Sequence, residues 1–263
     1  MLRSLKDLIG YTIQSTDGEI GKVADFYFDD LNWVIRYMIA DTGSWLEEKL
    51  VLISPFELGE PDWNNKTFPV KLTKQQIENS PDISIDAPVS RQHEEELSGY
   101  YGWPQYWSGT GGIYGGVDAL YPSAYIPSPV PTENKGESAE ILKQQQTTGN
   151  YDPHLRSLKE VEGYKIHASD GKIGHVQDFI SDDETWIIRY MLVDTHNWLP
   201  GGSKVLIAPF WIESINWDSN EVTVSLTIEK IKDSPELDTS QPINRQYETE
   251  LFDYYSKPGY WKK

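Results

Sequence analysis

The chain contains one sequence twice. Residues Leu2 to Leu46 return as Leu155 to Leu199 at a constant offset of 153, with 26 of 45 positions identical. After a one-residue insertion near Gly202 the match resumes at an offset of 154. It runs through Val51-Leu52-Ile53/Val205-Leu206-Ile207, Trp63/Trp217, Ser80-Pro81/Ser234-Pro235, Arg91-Gln92/Arg245-Gln246 and Tyr106-Trp107/Tyr260-Trp261. A unit of about a hundred residues is the size of an independently folding domain and far exceeds a solenoid repeat. The chain therefore reads as two domains, 1–107 and 155–263, and any site common to both must be built from residues that recur.

Between the repeats, residues 108–154 open with glycines and continue into Pro-Ser-Pro-Val-Pro, a composition that favours a tether. Tyr114, Tyr121 and Tyr125 offer aromatic contacts within it, and Ala139 to Gln146 could form two helical turns. The absence of cysteine excludes disulfides and thiolate metal sites. A formal charge of −18 and a pI near 4.6 oppose binding to nucleic acid or to anionic lipid. With no run of eighteen apolar residues and a polar start, MLRSLKDLIG, the expectation is a cytoplasmic protein without direct membrane insertion.

Within each repeat the pattern is mainly β. Asp17-Gly18 and Asp170-Gly171 mark tight turns. Ile20 to Phe28 and Trp33 to Ala40 form a long hairpin with Asp29-Asp30-Leu31-Asn32 at its tip, and Asp182 to Thr185 mark the second tip. Both faces of these strands are partly apolar, which suits a small barrel or a strongly curved sheet. Short helices close each repeat: Thr73 begins a capping-box spacing, and Ser90 and Asn244 are in place to cap later segments.

The run GEIGKVADFYFDDLNWVIRYMIADTGSWL, then KLVLISPFEL, then the tail to Tyr106-Trp107 resembles the PRC-barrel family, named for the cytoplasmic domain of the photosynthetic reaction centre H subunit. The resemblance covers nearly everything outside the tether. It implies two tandem small β-barrels, each followed by short helical segments, used for docking and assembly without shared catalytic machinery. Unlike the reaction-centre subunit, the chain carries no membrane helix in its sequence and has two barrels.

Catalytic readings do not survive the duplication. His93, His167, His175 and His196 face Tyr247, Gln14, Lys22 and Gly43 in the other repeat, so no His-based site is common to both. The glycine-rich segment 109–116 lacks the lysine and following helix of a phosphate loop. Asp29-Asp30 and Asp182-Asp183 offer too few oxygens for calcium and read as solvated acidic turns. Neither a cofactor nor a metal site is expected.

A turn centred on Asp30-Leu31 would place Asp25 opposite Arg36, and the second tip would place Asp178 opposite Arg189, giving one cross-strand ion pair per repeat. Trp45, Trp198, Tyr100, Tyr101, Trp107, Tyr254, Tyr255 and Trp261 are the candidate contact aromatics. The expected function is a non-enzymatic protein-interaction, scaffold or regulatory adaptor module. Its partners would be proteins, including those of membrane-associated complexes, and the two barrels would meet as an intramolecular pseudo-dimer through their aromatic tails. The alternative is a sensor of a small ligand or divalent ion at a barrel mouth or in the inter-barrel cleft.

Overall fold

In a computed structural model, residues 1–46, 49–81, 89–107, 154–196, 203–238 and 241–261 are described. The expected tether from 108 to 153, with Tyr114, Tyr121, Tyr125 and the helical turns at 139–146, lies outside them, as do Trp198 and the side chain of Trp45.

The fold is mainly β, with two sheets and a few short helices. The first repeat contributes β1 (Leu2–Ser4), β2 (Thr12–Ser15), β3 (Gly18–Asp29), β4 (Val34–Asp41), β5 (Leu50–Ile53) and β6 (Thr67–Pro69), then α1 (Lys74–Glu78) and α2 (Arg91–Tyr101). The second contributes β7 (Leu155–Ser157), α3 (Leu158–Val161), β8 (Lys165–Ala168), β9 (Gly171–Asp182), β10 (Ile188–Asp194), β11 (Lys204–Ile207), β12 (Ile212–Asn216) and β13 (Glu221–Val224). It ends in α4 (Ile228–Lys232) and α5 (Arg245–Tyr254).

The first strand of each repeat pairs with the other repeat's hairpin. One sheet has the order β5-β4-β3-β2-β6 with β7 against β3; the other runs β11-β10-β9-β8-β13-β12 with β1 against β9. The long strand β3 gives one edge to β4 and divides the other between β2, at Gly18–Lys22, and β7, at Tyr27–Asp29. Strand β9 does the same with β8 and β1. Both sheets are open paths. The closed barrels expected from the pattern are not formed among the described residues, because β5 and β6 end one path, and β11 and β12 the other, without pairing with each other.

The hairpin tips join the two repeats a second time. Asp29 Oδ1 accepts from the amides of Leu31 (2.8 Å) and Asn32 (3.2 Å), and the turn closes with Trp33 N donating to Asp29 O at 2.7 Å. This geometry puts Trp33 at φ 57°, a left-handed conformation that an L-residue holds only under constraint, and Trp186 repeats it at φ 57°. The constraint is visible: Ile35 N donates to Trp186 O at 2.9 Å, and Ile188 N to Trp33 O at 2.7 Å. Each indole then crosses over. Trp186 stacks on Phe26 and Phe68, at 6.2 and 5.9 Å between ring centroids, while Trp33 lies against Phe28 and Phe179. One hydrophobic cluster consequently runs through both repeats.

The turn also corrects the expected register. With Asp30–Trp33 as a four-residue loop, Asp29 faces Val34, and a bulge then places Tyr27 opposite Tyr37 and Phe28 opposite Ile35. Arg36 is the extra residue of that bulge, and Arg189 is the extra residue between Ile188 and Tyr190. A second bulge leaves Ala24 out of the ladder on β3 and Gln177 out on β9. Asp25 therefore faces Ile39, and Asp178 faces Leu192. The proposed pairs Asp25–Arg36 and Asp178–Arg189 are not formed, since a bulge re-aims the residue it inserts.

The helix starts follow their caps. Thr73 and Gln76 form a reciprocal capping box on α1, and Ser90 and Asn244 accept from the amides of His93 and Tyr247 on α2 and α5. No helix among the described residues is long and apolar enough to cross a membrane.

Candidate functional site

Two recurring constellations gather the buried ionisable residues Asp25, Asp178, Glu94 and Glu248. The first sits where the repeats exchange strands. Asp25 accepts from Ser157 Oγ and from its neighbour's amide, Phe26 N, at 2.8 Å; Asp178 accepts from Ser4 Oγ at 2.6 Å, Lys6 N at 3.1 Å and Phe179 N at 2.6 Å. Each aspartate thus anchors the incoming strand of the other repeat. Burial pushes both carboxyls above the ordinary aspartate range, and the hydrogen bonds only partly offset it.

The acidic tips complete this junction. Asp30 receives His154 Nδ1 at 2.9 Å and Arg156 Nε at 3.0 Å, while Asp183 receives the Met1 amine and Arg3 Nε. Asp29 receives Arg36 Nη2 at 2.8 Å, both side chains being nearly inaccessible. Burial alone would raise the Asp29 carboxyl, but the Arg36 charge and its hydrogen bonds hold it below its usual value. Against the expectation of solvated turns, Asp29 and Asp30 are buried, each 5% exposed. Their charge is used to bind basic groups from within and across the repeats. Among the described residues, no three acids or histidines converge in a way that could hold a metal ion.

The second constellation fastens each tail to its hairpin. Glu94, fully buried on α2, accepts from Tyr37 Oη at 2.9 Å and Tyr106 Oη at 2.7 Å, and its other oxygen meets Arg91 Nη1 at 2.9 Å. The Arg36 guanidinium lies over the Tyr106 ring at 4.0 Å, and Arg91 lies over Trp107 at 4.2 Å. The second repeat rebuilds the set: Glu248 accepts from Tyr190 and Tyr260 at 2.7 Å each and meets Arg245 Nη1 at 2.9 Å. Arg189 covers the Tyr260 ring at 4.2 Å, and Arg245 covers Trp261 at 4.2 Å.

Burial, reinforced by the adjacent carboxylate, raises the phenols of Tyr37, Tyr190 and Tyr260. They act as hydrogen-bond donors at neutral pH and are poor proton acceptors or nucleophiles. Burial also lowers Arg189 from its ordinary value. Such an arrangement can clamp a helix and an aromatic tail to a sheet. The signal was available in the sequence as the joint recurrence of Arg-Tyr, Arg-x-x-Glu and Tyr-Trp at fixed offsets, although those pieces lie far apart along the chain.

The candidate contact aromatics divide accordingly. Tyr255 is buried against Trp211 at 4.6 Å, and Tyr101 stacks on Trp103 at 4.2 Å; burial pushes both phenols up to about 12. Trp107 and Trp261 are half-buried, each under an arginine of its own repeat. Tyr254 donates to Lys230 O and Tyr100 to Gln76 O, both at 2.9 Å, and Tyr100 remains 42% exposed. The tails fold back on their own repeats. The aromatic contacts between repeats come from Trp33 and Trp186 at the hairpin turns, together with Phe28 against Phe179.

No curated protein matches the chain. Residues 2–74, from β1 through the start of α1 in the first repeat, match the family model of the PRC-barrel domain.

Proposed function

We propose that the chain is a non-enzymatic interaction module in which two PRC-type units, 1–107 and 155–263, act as one rigid adaptor for partner proteins in the cytoplasm. The second unit is assigned to the same family on its identity with the first, and the pair forms an intramolecular pseudo-dimer with approximate two-fold symmetry. The observation that carries this reading is the reciprocal strand exchange, with β1 on β9 and β7 on β3. Exchange sealed by crossed tryptophans fixes the orientation of two similar outer surfaces, which is useful to a protein that must hold partners at a set spacing.

The engagement of the recurring ionisable groups in structural contacts also supports it. Asp25 and Asp178 hold the exchanged strands through Ser157 and Ser4, and Glu94 and Glu248 hold the tails with Arg91 and Arg245, whereas a catalytic group must be able to reach a substrate.

The test is native capture with the full chain against a Tyr100→Ala/Tyr254→Ala variant shown to melt within a few degrees of the parent. The expected outcome is a defined protein recovered with the parent and lost with the variant. An identical captured set with both proteins, or turnover of any substrate by the purified chain, would overturn the proposal.

A further inference from the structure

A cleft of about 470 Å³ opens beneath the exchanged strand β1, between the first repeat's Leu2–Asp7 segment and the second repeat's sheet. Its volume lies within the range of about 300–1,000 Å³ usual for small-molecule sites. Leu2, Ile180 and Leu192 give it an apolar floor, and Gln177 and Lys204 bring polar groups to it. Gln177 is the residue that the β9 bulge inserts, and its Oε1 is shielded from solvent without a hydrogen-bond partner. Among the described residues the Lys204 ammonium has no partner, whereas Arg3 and Lys6 at the rim are bound to Asp183 and Glu162.

The first repeat is an internal control. Its residues at the positions of Gln177, Ile180 and Lys204 are Ala24, Tyr27 and Leu50, and these pack with Ile39, Val89 and Leu155 in an apolar cluster. The second repeat has therefore replaced packing by an acceptor and a cation and has exchanged a tyrosine for a smaller residue. An unpaired buried acceptor costs about 1–3 kcal/mol, so it needs a donor from elsewhere.

We infer that this cleft binds a small apolar α-amino or α-hydroxy acid. The carboxylate pairs with Lys204, the ammonium or hydroxyl donates to Gln177 Oε1, and the side chain rests on Ile180 and Leu192. A single lysine without a partner among the described residues, in a strongly acidic chain, suits a monoanion better than a phosphate dianion. The site is independent of the adaptor reading, because its test involves no protein partner.

The experiment is calorimetric titration of the full chain with L-leucine, L-phenylalanine and 2-hydroxy-4-methylpentanoate. Two truncated probes accompany them, 4-methylpentanoate without the donor and isopentylamine without the carboxylate. The complete ligands should bind at least about tenfold more tightly than either truncated probe. Lys204→Leu and Gln177→Ala, which import the first repeat's residues, should each weaken binding by about tenfold or more. Lys204→Gln provides a milder variant if the leucine protein is unstable. No heat with any complete ligand at roughly 10 mM, equal binding of the truncated probes, or binding indifferent to both substitutions would overturn the assignment.

Discussion

Replacing Trp186 by alanine should destabilise the sheet of the other repeat. The indole is 5% exposed and lies over Phe26 and Phe68, so truncation empties a space walled by first-repeat side chains. Burying an aromatic side chain removes about 150–250 Å² from water, which at about 25 cal/mol/Å² amounts to roughly 4–6 kcal/mol as an upper bound. Measured truncations of this kind cost about 3–5 kcal/mol. A loss of about 4 kcal/mol shifts the opening equilibrium by nearly three orders of magnitude. Hydrogen-exchange mass spectrometry should find that loss of protection in the amides of Phe26 to Phe28 and of Met38, and denaturant unfolding should remain one transition at a lower midpoint. Protection lost in the second repeat alone, or two transitions with the first unmoved, would refute the shared core. Trp186→Gly adds an internal check: it removes the same ring but relieves the left-handed backbone, so it should be milder than alanine by about 1 kcal/mol.

Gly21→Ala should cost several kcal/mol in chemical denaturation, because a Cβ there would lie 2.0 Å from the Asp41 carbonyl oxygen and φ is +141°. Asp25→Asn/Asp178→Asn should gain stability relative to the parent as pH rises from about 4 to 7. The parent's buried carboxyls have raised pKa values, so their contribution is most favourable below the ordinary value near 3.9 and is lost as pH rises through the folded values. Urea titrations at several pH values will show this, and a constant or reversed difference would count against the burial argument. Residues 1–107 expressed alone should form a homodimer with a concentration-dependent melting temperature, since the identical Leu-Arg-Ser segment of a second molecule can replace β7 and its Trp33 can replace Trp186.

Much of the local structure was legible in the sequence. The Asp-Gly turns, the long hairpins and the caps at Thr73, Ser90 and Asn244 follow from residue chemistry that acts within a few positions. The register was not, because it depends on a turn that encloses Trp33 and on bulges at Arg36 and Ala24, and nothing in a period-two pattern marks which residue will be extruded. The same slip explains the misplaced ion pairs. Asp25 looked like a partner for Arg36 but instead holds Ser157, while Arg36 reaches the hairpin tip at Asp29. The cleft beside β1 was equally hidden, since its walls come from the first repeat's N-terminal segment and Trp63 and from separate second-repeat positions such as Gln177, Leu192, Lys204 and Ile243.

The crossing itself has a physical reason to escape sequence reading. Leu2-Arg3-Ser4 and Leu155-Arg156-Ser157 are the same tripeptide, so each hairpin edge can be filled from its own repeat or from the other with the same backbone bonds. Local energetics barely distinguish the two arrangements; the surrounding contacts decide. Lys6 reaches Glu162 and Ser4 reaches Asp178 only when the strand has crossed, while Arg3 over Trp63 at 4.5 Å and Arg156 over Trp217 at 4.3 Å tie each exchanged strand to its own repeat. The covalent connection lowers the cost of crossing, because joining the repeats in one chain turns an association between molecules into one within the chain. Once covalently joined, the halves no longer need to be identical, and they differ where the junction ends: Tyr27 against Ile180 and Leu50 against Lys204. A homodimer would have to make any such change at both symmetric positions, whereas the duplicated chain can keep one side packed and open the other.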